Sequence, residues 1–200
     1  MTNTRKGDCM FIKGTETEKN LLKAFAGESQ ARSRYTMFAE VARKEGYEQI
    51  ADFFMETAEQ ELEHAKIFFS HLEGGTAEIQ ASYPAGKTGS TEENLIAAAE
   101  GEHEEWATLY PEFAKKAEAE GFKKIANAFK MISKIESEHE KRYLKLRKNM
   151  DEDIVFYDDD ETTVWLCRNC GYIHVGKKAP RGCPVCLYSK AYFERRQTNY

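Results

Sequence analysis

The tetrapeptide Glu61-Leu62-Glu63-His64 returns 75 residues later as Glu136-Ser137-Glu138-His139. In each, a carboxylate precedes an imidazole by three positions. On an α-helix that spacing puts both on one face, one turn apart. The apolar residues around each pair keep helical period: Ile50, Phe54, Phe68 and Leu72 around the first, and Ile125, Phe129, Ile132, Tyr143 and Leu146 around the second. Glu61, His64, Glu136 and His139 therefore fall on stripes that face a core. Glu63 and Glu138 lie about 200° round the wheel at ~100° per residue, on the solvated side. A buried carboxylate is costly unless it is paired or binds metal. Two Glu-x-x-His pairs in register on two helices match the pattern of a dimetal site in a bundle core.

The repeat extends well beyond these pairs. At the same offset Tyr35, Phe38, Ala39, Ala42, Glu45, Gly46, Ile50, Ala51 and Phe54 also meet identical residues. Helices one and two are thus echoed by helices three and four, around a pseudo-twofold axis. Thr15-x-x-Glu18 and Ser90-x-x-Glu93 read as capping boxes that open helices one and three. The expected helices run from Thr15 to Glu45, from about Tyr47 to Glu73, from Ser90 to about Glu120, and from about Phe122 to Met150. Gly46, Gly74-Gly75 and Gly121 serve as stops. Residues 76–89 have turn chemistry, no helical period, and the length of a crossover along the bundle. The repeat has one flaw. Glu28 precedes Tyr35 by seven residues, whereas Glu102 precedes Tyr110 by eight, and Pro111 follows. An extra residue and a missing backbone donor predict one π turn between Glu102 and Pro111.

The inward-facing set becomes Glu28, Glu61, His64, Glu102, Glu136 and His139. One Glu from each of two helices and Glu-x-x-His from the other two form the di-iron carboxylate pattern. Oxygen and imidazole donors with open positions suit iron or manganese, and four carboxylates neutralise two divalent ions. Glu105, one turn after Glu102, has the spacing of a fifth carboxylate ligand, and equally that of a surface Glu in a Glu-rich stretch. Tyr35 and Tyr110 are placed to hydrogen-bond ligating carboxylates, or to pack as core aromatics. Glu100, His103 and Glu104 point elsewhere, and His71 reads as an end-of-bundle histidine.

Residues 151–163 are acidic and read as a linker. Beyond them Cys167, Cys170, Cys183 and Cys186 form a Cys-x2-Cys-x12-Cys-x2-Cys pattern. Four thiolates in two knuckles make a tetrahedral site for zinc or a single iron. Zinc there means a structural ribbon, and iron a one-electron carrier. A module of about 37 residues depends on its metal to fold. His174 lies between the knuckles and is surplus to a complete shell. Cys9 reads as an inert thiol. The fold class is mainly α: a four-helix bundle over residues 1–150, a linker over 151–163, and a small β-rich four-cysteine metal ribbon over 164–200. A net charge of −5 argues against nucleic acid as a partner. No apolar run reaches membrane-spanning length, and residues 1–14 lack a signal-peptide core, so a cytoplasmic location is expected.

Across nearly its whole length the chain resembles rubrerythrin. The resemblance rests on Gly27-Glu28-Ser29-Gln30-Ala31-Arg32, Glu61-x-x-His64, Gly101-Glu102-His103-Glu104-Glu105, Glu136-x-x-His139-Glu140-Lys141-Arg142, Cys167-x-x-Cys170-Gly171-Tyr172 and Cys183-Pro184-x-Cys186. The short x12 spacer is also similar to rubrerythrin rather than to free-standing rubredoxin. The resemblance implies a ferritin-like di-iron bundle followed by a rubredoxin-like domain with one iron on the four cysteines. It implies that Glu61 and Glu136 bridge, that Glu28, Glu102 and His139 are terminal ligands, and that His64 and Glu105 exchange at one iron with redox state. It implies a peroxidase that reduces hydrogen peroxide to water, in a microbe managing oxidative stress. The implied assembly is a head-to-tail homodimer. The thirteen-residue linker leaves the module's own bundle within reach, and the cysteine iron of one subunit is expected to serve the bundle of the other. The sequence has no Rossmann glycine fingerprint. The donor is therefore expected outside the chain, as an NAD(P)H-dependent reductase or a rubredoxin. The competing readings are ferritin-like iron oxidation and storage, and a zinc-ribbon interaction module on a structural bundle.

Overall fold

The computed structural model describes residues 11–199. Cys9 lies outside them, so its expected inertness is not addressed by the fold. Helices α1 (Glu16–Glu45) and α2 (Glu48–Ser70) form one antiparallel pair. Residues 76–89 then cross the bundle without regular structure. The second pair consists of an interrupted helix, α3 (Thr91–Glu104) and α4 (Tyr110–Ala119), packed along α5 (Lys123–Asp151).

The helix ends follow from local chemistry. Thr15 Oγ1 accepts the N–H of Glu18 at 3.1 Å, but the Glu18 carboxylate returns to the N–H of Gly14 at 2.7 Å rather than to Thr15. At Ser90 the reciprocal capping box is complete. The repeated Glu45 and Glu120 each cap a helix of the other half. Glu45 Oε2 accepts the N–H of Thr91 at 2.9 Å, and Glu120 Oε2 accepts that of Thr17 at 2.9 Å. Gly46 stands at φ 86°, a left-handed conformation that glycine adopts without a Cβ clash. Helix α2 ends at Ser70, three residues before the expected Glu73. His71 is its C-cap, and Leu72 turns back to pack against the core.

Two apolar plugs hold the bundle, and they are the two halves of the repeat. One gathers Tyr35, Phe38, Ala39, Ala42, Ile50, Ala51 and Phe54 with Tyr143 and Leu146. The other gathers Tyr110, Ala114, Ala117, Ile125, Ala126 and Phe129 with Leu21, Phe68 and Ile132. Each fully buried large side chain contributes roughly 1.5–3 kcal/mol. Along α2, Phe54 lies in the first plug and Phe68 in the second, and Glu61 is midway between them.

The interruption between α3 and α4 is a π turn over Glu105–Leu109, where the extra residue predicts it. The N–H of Tyr110 bonds to the carbonyl of Glu105, five residues back. Pro111 has no N–H for the Trp106 carbonyl, and Ser133 Oγ donates to that oxygen instead at 3.1 Å.

The C-terminal module is a three-stranded antiparallel sheet in the order β2-β1-β3, with β1 at Val164–Cys167, β2 at Ile173–Val175 and β3 at Phe193–Arg195. Trp165, Cys167, Cys183 and Phe193 form its buried core. The acidic stretch 151–163 is not a bare tether. Arg195 donates to the carbonyls of Ile154 and Tyr157 at 2.7 and 2.6 Å and to Asp158 Oδ2 at 2.9 Å. Phe156 stacks on Tyr47 at 6.1 Å, which seats the module at the α1–α2 turn, and Arg168 pairs with Asp52 on α2.

Deleting the exposed Ala107 returns the Glu102–Tyr110 spacing to the seven residues that separate Glu28 from Tyr35 on the regular helix α1, so an uninterrupted α-helix keeps Tyr110, Ala114 and Ala117 on the buried face. A stability change within about 1 kcal/mol is expected, seen in calorimetry as a melting midpoint moved by no more than roughly 2–4 °C. A deletion variant that melts far below that range would show that the π turn is needed to set the register of α4.

Candidate metal centres

Six side chains from α1, α2, α3 and α5 meet in the layer between the plugs. Glu28, Glu61, Glu102 and Glu136 are fully buried, and His64 and His139 nearly so. They form two clusters, Glu28/Glu61/His64/Glu136 and Glu61/Glu102/Glu136/His139, whose donor atoms lie within 4.8 Å of one another in each. Glu61 and Glu136 belong to both. Glu61 Oε2 lies 2.8 Å from His64 Nδ1, and its Oε1 lies 3.2 Å from His139 Nδ1. Glu136 repeats this with Oε1 at 3.0 Å and Oε2 at 2.8 Å. Each of these carboxylates turns one oxygen toward each position. The imidazole rings stack 6.0 Å apart.

The phenol of Tyr35 donates to Glu102 Oε1 and that of Tyr110 to Glu28 Oε1, both at 2.5 Å. The tyrosine of each half thus holds the carboxylate of the other. Glu28 Oε2, Glu61 Oε1, Glu102 Oε2, both Glu136 oxygens and His139 Nδ1 are buried without an aligned hydrogen-bond donor or acceptor. Orphaned lone pairs converging on two points in an apolar bundle fit a pair of cations. Glu105 stands beside the clusters rather than in them. The residue is half-buried, but its carboxylate is enclosed, with Oε1 packed over Gly27, where an added Cβ would lie 3.7 Å away.

Without cations the layer takes protons. Burial opposes the charge on His64, but Glu136 and Glu61 outweigh it and raise its pKa to about 9. Burial is likewise outweighed at His139 by Glu102, Glu136 and Glu61, which raise it to about 12. Burial also opposes the charge on Glu61, yet its bonds to His139 and His64 bring it down to about 2. Burial and then Glu61 push Glu102 up to about 8. Glu28 and Glu105 are raised well above the carboxylate range, first by burial and then by neighbouring carboxylates.

The four cysteines also converge. Cys167 Sγ lies 3.7 Å from Cys186 Sγ, and Cys170 Sγ lies 3.5 Å from Cys183 Sγ. A tetrahedron with metal–sulfur bonds of about 2.3 Å has edges of about 3.8 Å. The thiols are free, and these separations exceed any disulfide. The N–H of Tyr188 is the main influence that lowers the Cys186 thiol to about 6. His174 pairs with Trp165 in the sheet and is not among the four clustered residues.

Glu100, His103 and Glu104 are exposed, and His103 Nδ1 contacts Glu140 Oε1 at 3.0 Å. His71 ends α2 away from both clusters. Sequence reasoning missed Gln60, whose Oε1 lies 2.8 Å from His139 Nε2. A signal was present, because the repeat places Ile135 opposite Gln60. It also missed Trp106, which donates from Nε1 to Glu140 Oε2 at 2.5 Å.

Such a bundle and such a ribbon on one chain define a ferritin-like di-iron carboxylate protein with a rubredoxin-like four-cysteine site. The Rubrerythrin family model matches residues 19–147, and that of the rubrerythrin rubredoxin-like domain matches 165–194. The rubrerythrin of Porphyromonas gingivalis is 64% identical over 94% of this chain and 94% of its own length. That of Nitratidesulfovibrio vulgaris is 51% identical over 94% and 98%. The solved structure of fully reduced, all-ferrous nigerythrin aligns with a TM-score of 0.61 at 33% identity, covering 98% of this chain and 96% of that one. The chain belongs to the rubrerythrin family.

Metal binding must displace the protons held in the layer. His64 and His139 have pKa values above 7, so the metal-free protein carries both protonated at neutral pH. Loading the bundle with a divalent ion at pH 7 should release more than one proton per pair of ions, and affinity should fall as the pH is lowered. Calorimetry in buffers of different ionisation enthalpy measures the release. Uptake without net proton release would contradict this charge assignment.

Proposed function

We propose that this protein is a non-haem di-iron peroxidase that reduces hydrogen peroxide to water in oxidative-stress protection. The observation that carries the reading is the coexistence, on one chain, of a closed two-position site with a fifth carboxylate beside it and a four-thiolate site suited to one-electron transfer. An iron-storage protein has no need of the second, and a structural zinc ribbon no need of the first.

Iron held at the two bundle positions would supply the two electrons that, with two protons, turn one peroxide into two waters, and iron held by the four cysteines would return those electrons singly. Glu61 and Glu136 are assigned as bridges because each turns an oxygen to both positions. Glu28 with His64 and Glu102 with His139 are assigned as the flanking ligands. Four carboxylates balance a divalent pair, and Glu105 supplies a fifth negative charge for the oxidised pair, in exchange with His64. Tyr35 and Tyr110 orient Glu102 and Glu28. The two apolar plugs keep bulk water from the layer. A cavity of about 270 Å³ bordered by Arg34, Glu105, Tyr110 and the crossover residues Tyr83 and Pro84 offers a small oxidant a way in. Cys167, Cys170, Cys183 and Cys186 are assigned to the single iron.

Among the described residues no helix is long and apolar enough to cross a membrane. We place the protein in the cytoplasm, reduced by an external donor, a rubredoxin or an NAD(P)H-dependent reductase. We divide the chain into a bundle over 1–150, a linker over 151–163 and an iron module over 164–200, a reading supported by family matches that fall inside the first and last of these ranges.

Stopped-flow mixing of the reduced protein with peroxide, and separately with dioxygen, tests the oxidant. Faster reoxidation by peroxide is expected, and much faster reoxidation by dioxygen would favour the storage reading. Cys170→Ser should leave single-turnover oxidation of the bundle irons intact and abolish steady-state turnover.

The assembly proposed is a head-to-tail homodimer in which the cysteine iron of one subunit feeds the bundle of its partner. Two inactive proteins, Glu61→Ala/His139→Ala and Cys167→Ser/Cys170→Ser, are mixed under subunit exchange. Activity should reappear in the mixed dimer. Folded, verified mixed dimers that stay inactive would place the transfer within one chain.

A further inference from the structure

The two metal positions are related by the repeat, but their histidines are not held alike. His139 Nε2 meets Gln60 Oε1 at 2.8 Å. The amide of Gln60 is itself oriented, because its Nε2 donates toward Glu56 Oε1 at 3.4 Å. The same Glu56 oxygen lies 3.0 Å from Arg142 Nη1 as an ion pair. A carboxylate facing a guanidinium can only accept, so the Gln60 NH₂ faces Glu56 and its carbonyl faces His139. The His139 Nε2 must then be the N–H donor, which leaves the Nδ1 lone pair toward Glu61, Glu102 and Glu136.

At the offset of 75 this relay disappears. The counterparts of Glu56, Gln60 and Arg142 are Met131, Ile135 and Ile67. All three are exposed, at 50%, 41% and 41%, and none offers imidazole more than the weak thioether acceptor of Met131, which lies 4.0 Å from Lys134 Nζ. His64 Nδ1 faces Glu61 and Glu136 as His139 Nδ1 does, but no described side chain bonds its Nε2. A polar brace therefore stands behind one histidine and an apolar surface behind the other.

We propose that Gln60, oriented by Glu56 and Arg142, is a positioning residue that fixes His139 in its metal-binding tautomer. The Glu102/His139 position consequently holds a divalent ion more tightly than the Glu28/His64 position. The inference rests on the dimetal reading of the bundle. Partners of this kind behind a ligating histidine are worth about 10- to 100-fold in metal affinity.

The test uses the full-length protein and zinc, a diamagnetic divalent ion that accepts the same donors. Competition with a chromophoric chelator should resolve two bundle constants at least about tenfold apart. Gln60→Leu should weaken the tighter one by about 10- to 100-fold and spare the other. Gln60→Glu, which keeps an acceptor, should restore it, and Ile135→Gln should tighten the weaker one. Nitrogen NMR of the zinc-loaded wild type gives a second readout that needs no variant: a slowly exchanging Nε2–H on His139 and a faster one on His64. Unchanged constants in Gln60→Leu, equal weakening of both, or a His139 proton on Nδ1 would overturn the inference and leave the dimetal reading standing. A bundle that takes up no zinc would overturn both.

Discussion

A layer of four carboxylates and two imidazoles closed between two aromatic plugs is the constraint on which the rest of this molecule depends. Burying one uncompensated carboxylate costs several kcal/mol, and here the charges crowd within a few ångströms. The plugs are large because they must offset that penalty. Tyr35, Phe38 and Phe54 at one end and Phe68, Tyr110 and Phe129 at the other pack ring against ring. The two tyrosines also serve the layer they enclose, since each sends its hydroxyl to a carboxylate. Cations supply what the plugs do not, and protons substitute for them in their absence.

The layer was legible in the sequence because it is written twice. Glu-x-x-His on a helical stripe fixes a face, and its recurrence fixes the partner helix. The π turn was legible for the same reason, since one extra residue before Tyr110 is visible only against a copy without it. What escaped notice has no periodic signature. Nothing in the run of aspartates at 158–160 announces that Arg195, some 35 residues on, will clasp the chain beside them. Gln60 looks like one more polar helix residue until α5 is laid against α2. The conspicuous stop at Gly74-Gly75 predicts α2 three residues longer than it is, because the packing of Leu72 against the core is tertiary and leaves no local signal.

The module's seat relates the two metal layers. Arg168, inside the first cysteine knuckle, reaches Asp52, and Asp52 lies nine residues before Glu61 on α2. At 1.5 Å per residue that is about 14 Å along the helix. Gly46 lets Ala191 approach the α1–α2 turn, its Cβ 3.6 Å from where a glycine Cβ would lie. The contact is small, polar at Arg168 and aromatic at Phe156. It sets the orientation of the module with few groups, as small and largely polar contacts between domains of one chain do.

A perfectly duplicated bundle would treat its two metal positions alike. Here two of the departures from symmetry act on the same layer. The inserted residue between Glu102 and Tyr110 makes the π turn, and the π turn carries Glu105 over Gly27, next to Glu28. The brace of Arg142, Glu56 and Gln60 stands behind His139 and has no counterpart behind His64. On the proposed reading the first departure adds a spare anionic donor, and the second leaves one neutral donor less firmly held. A ligand set that must accommodate two charge states gains from changing at one ion while the other stays fixed, because a single moving residue disturbs the packed core least. On that reading the braced His139 and the unbraced His64 divide those two tasks between the halves of the repeat.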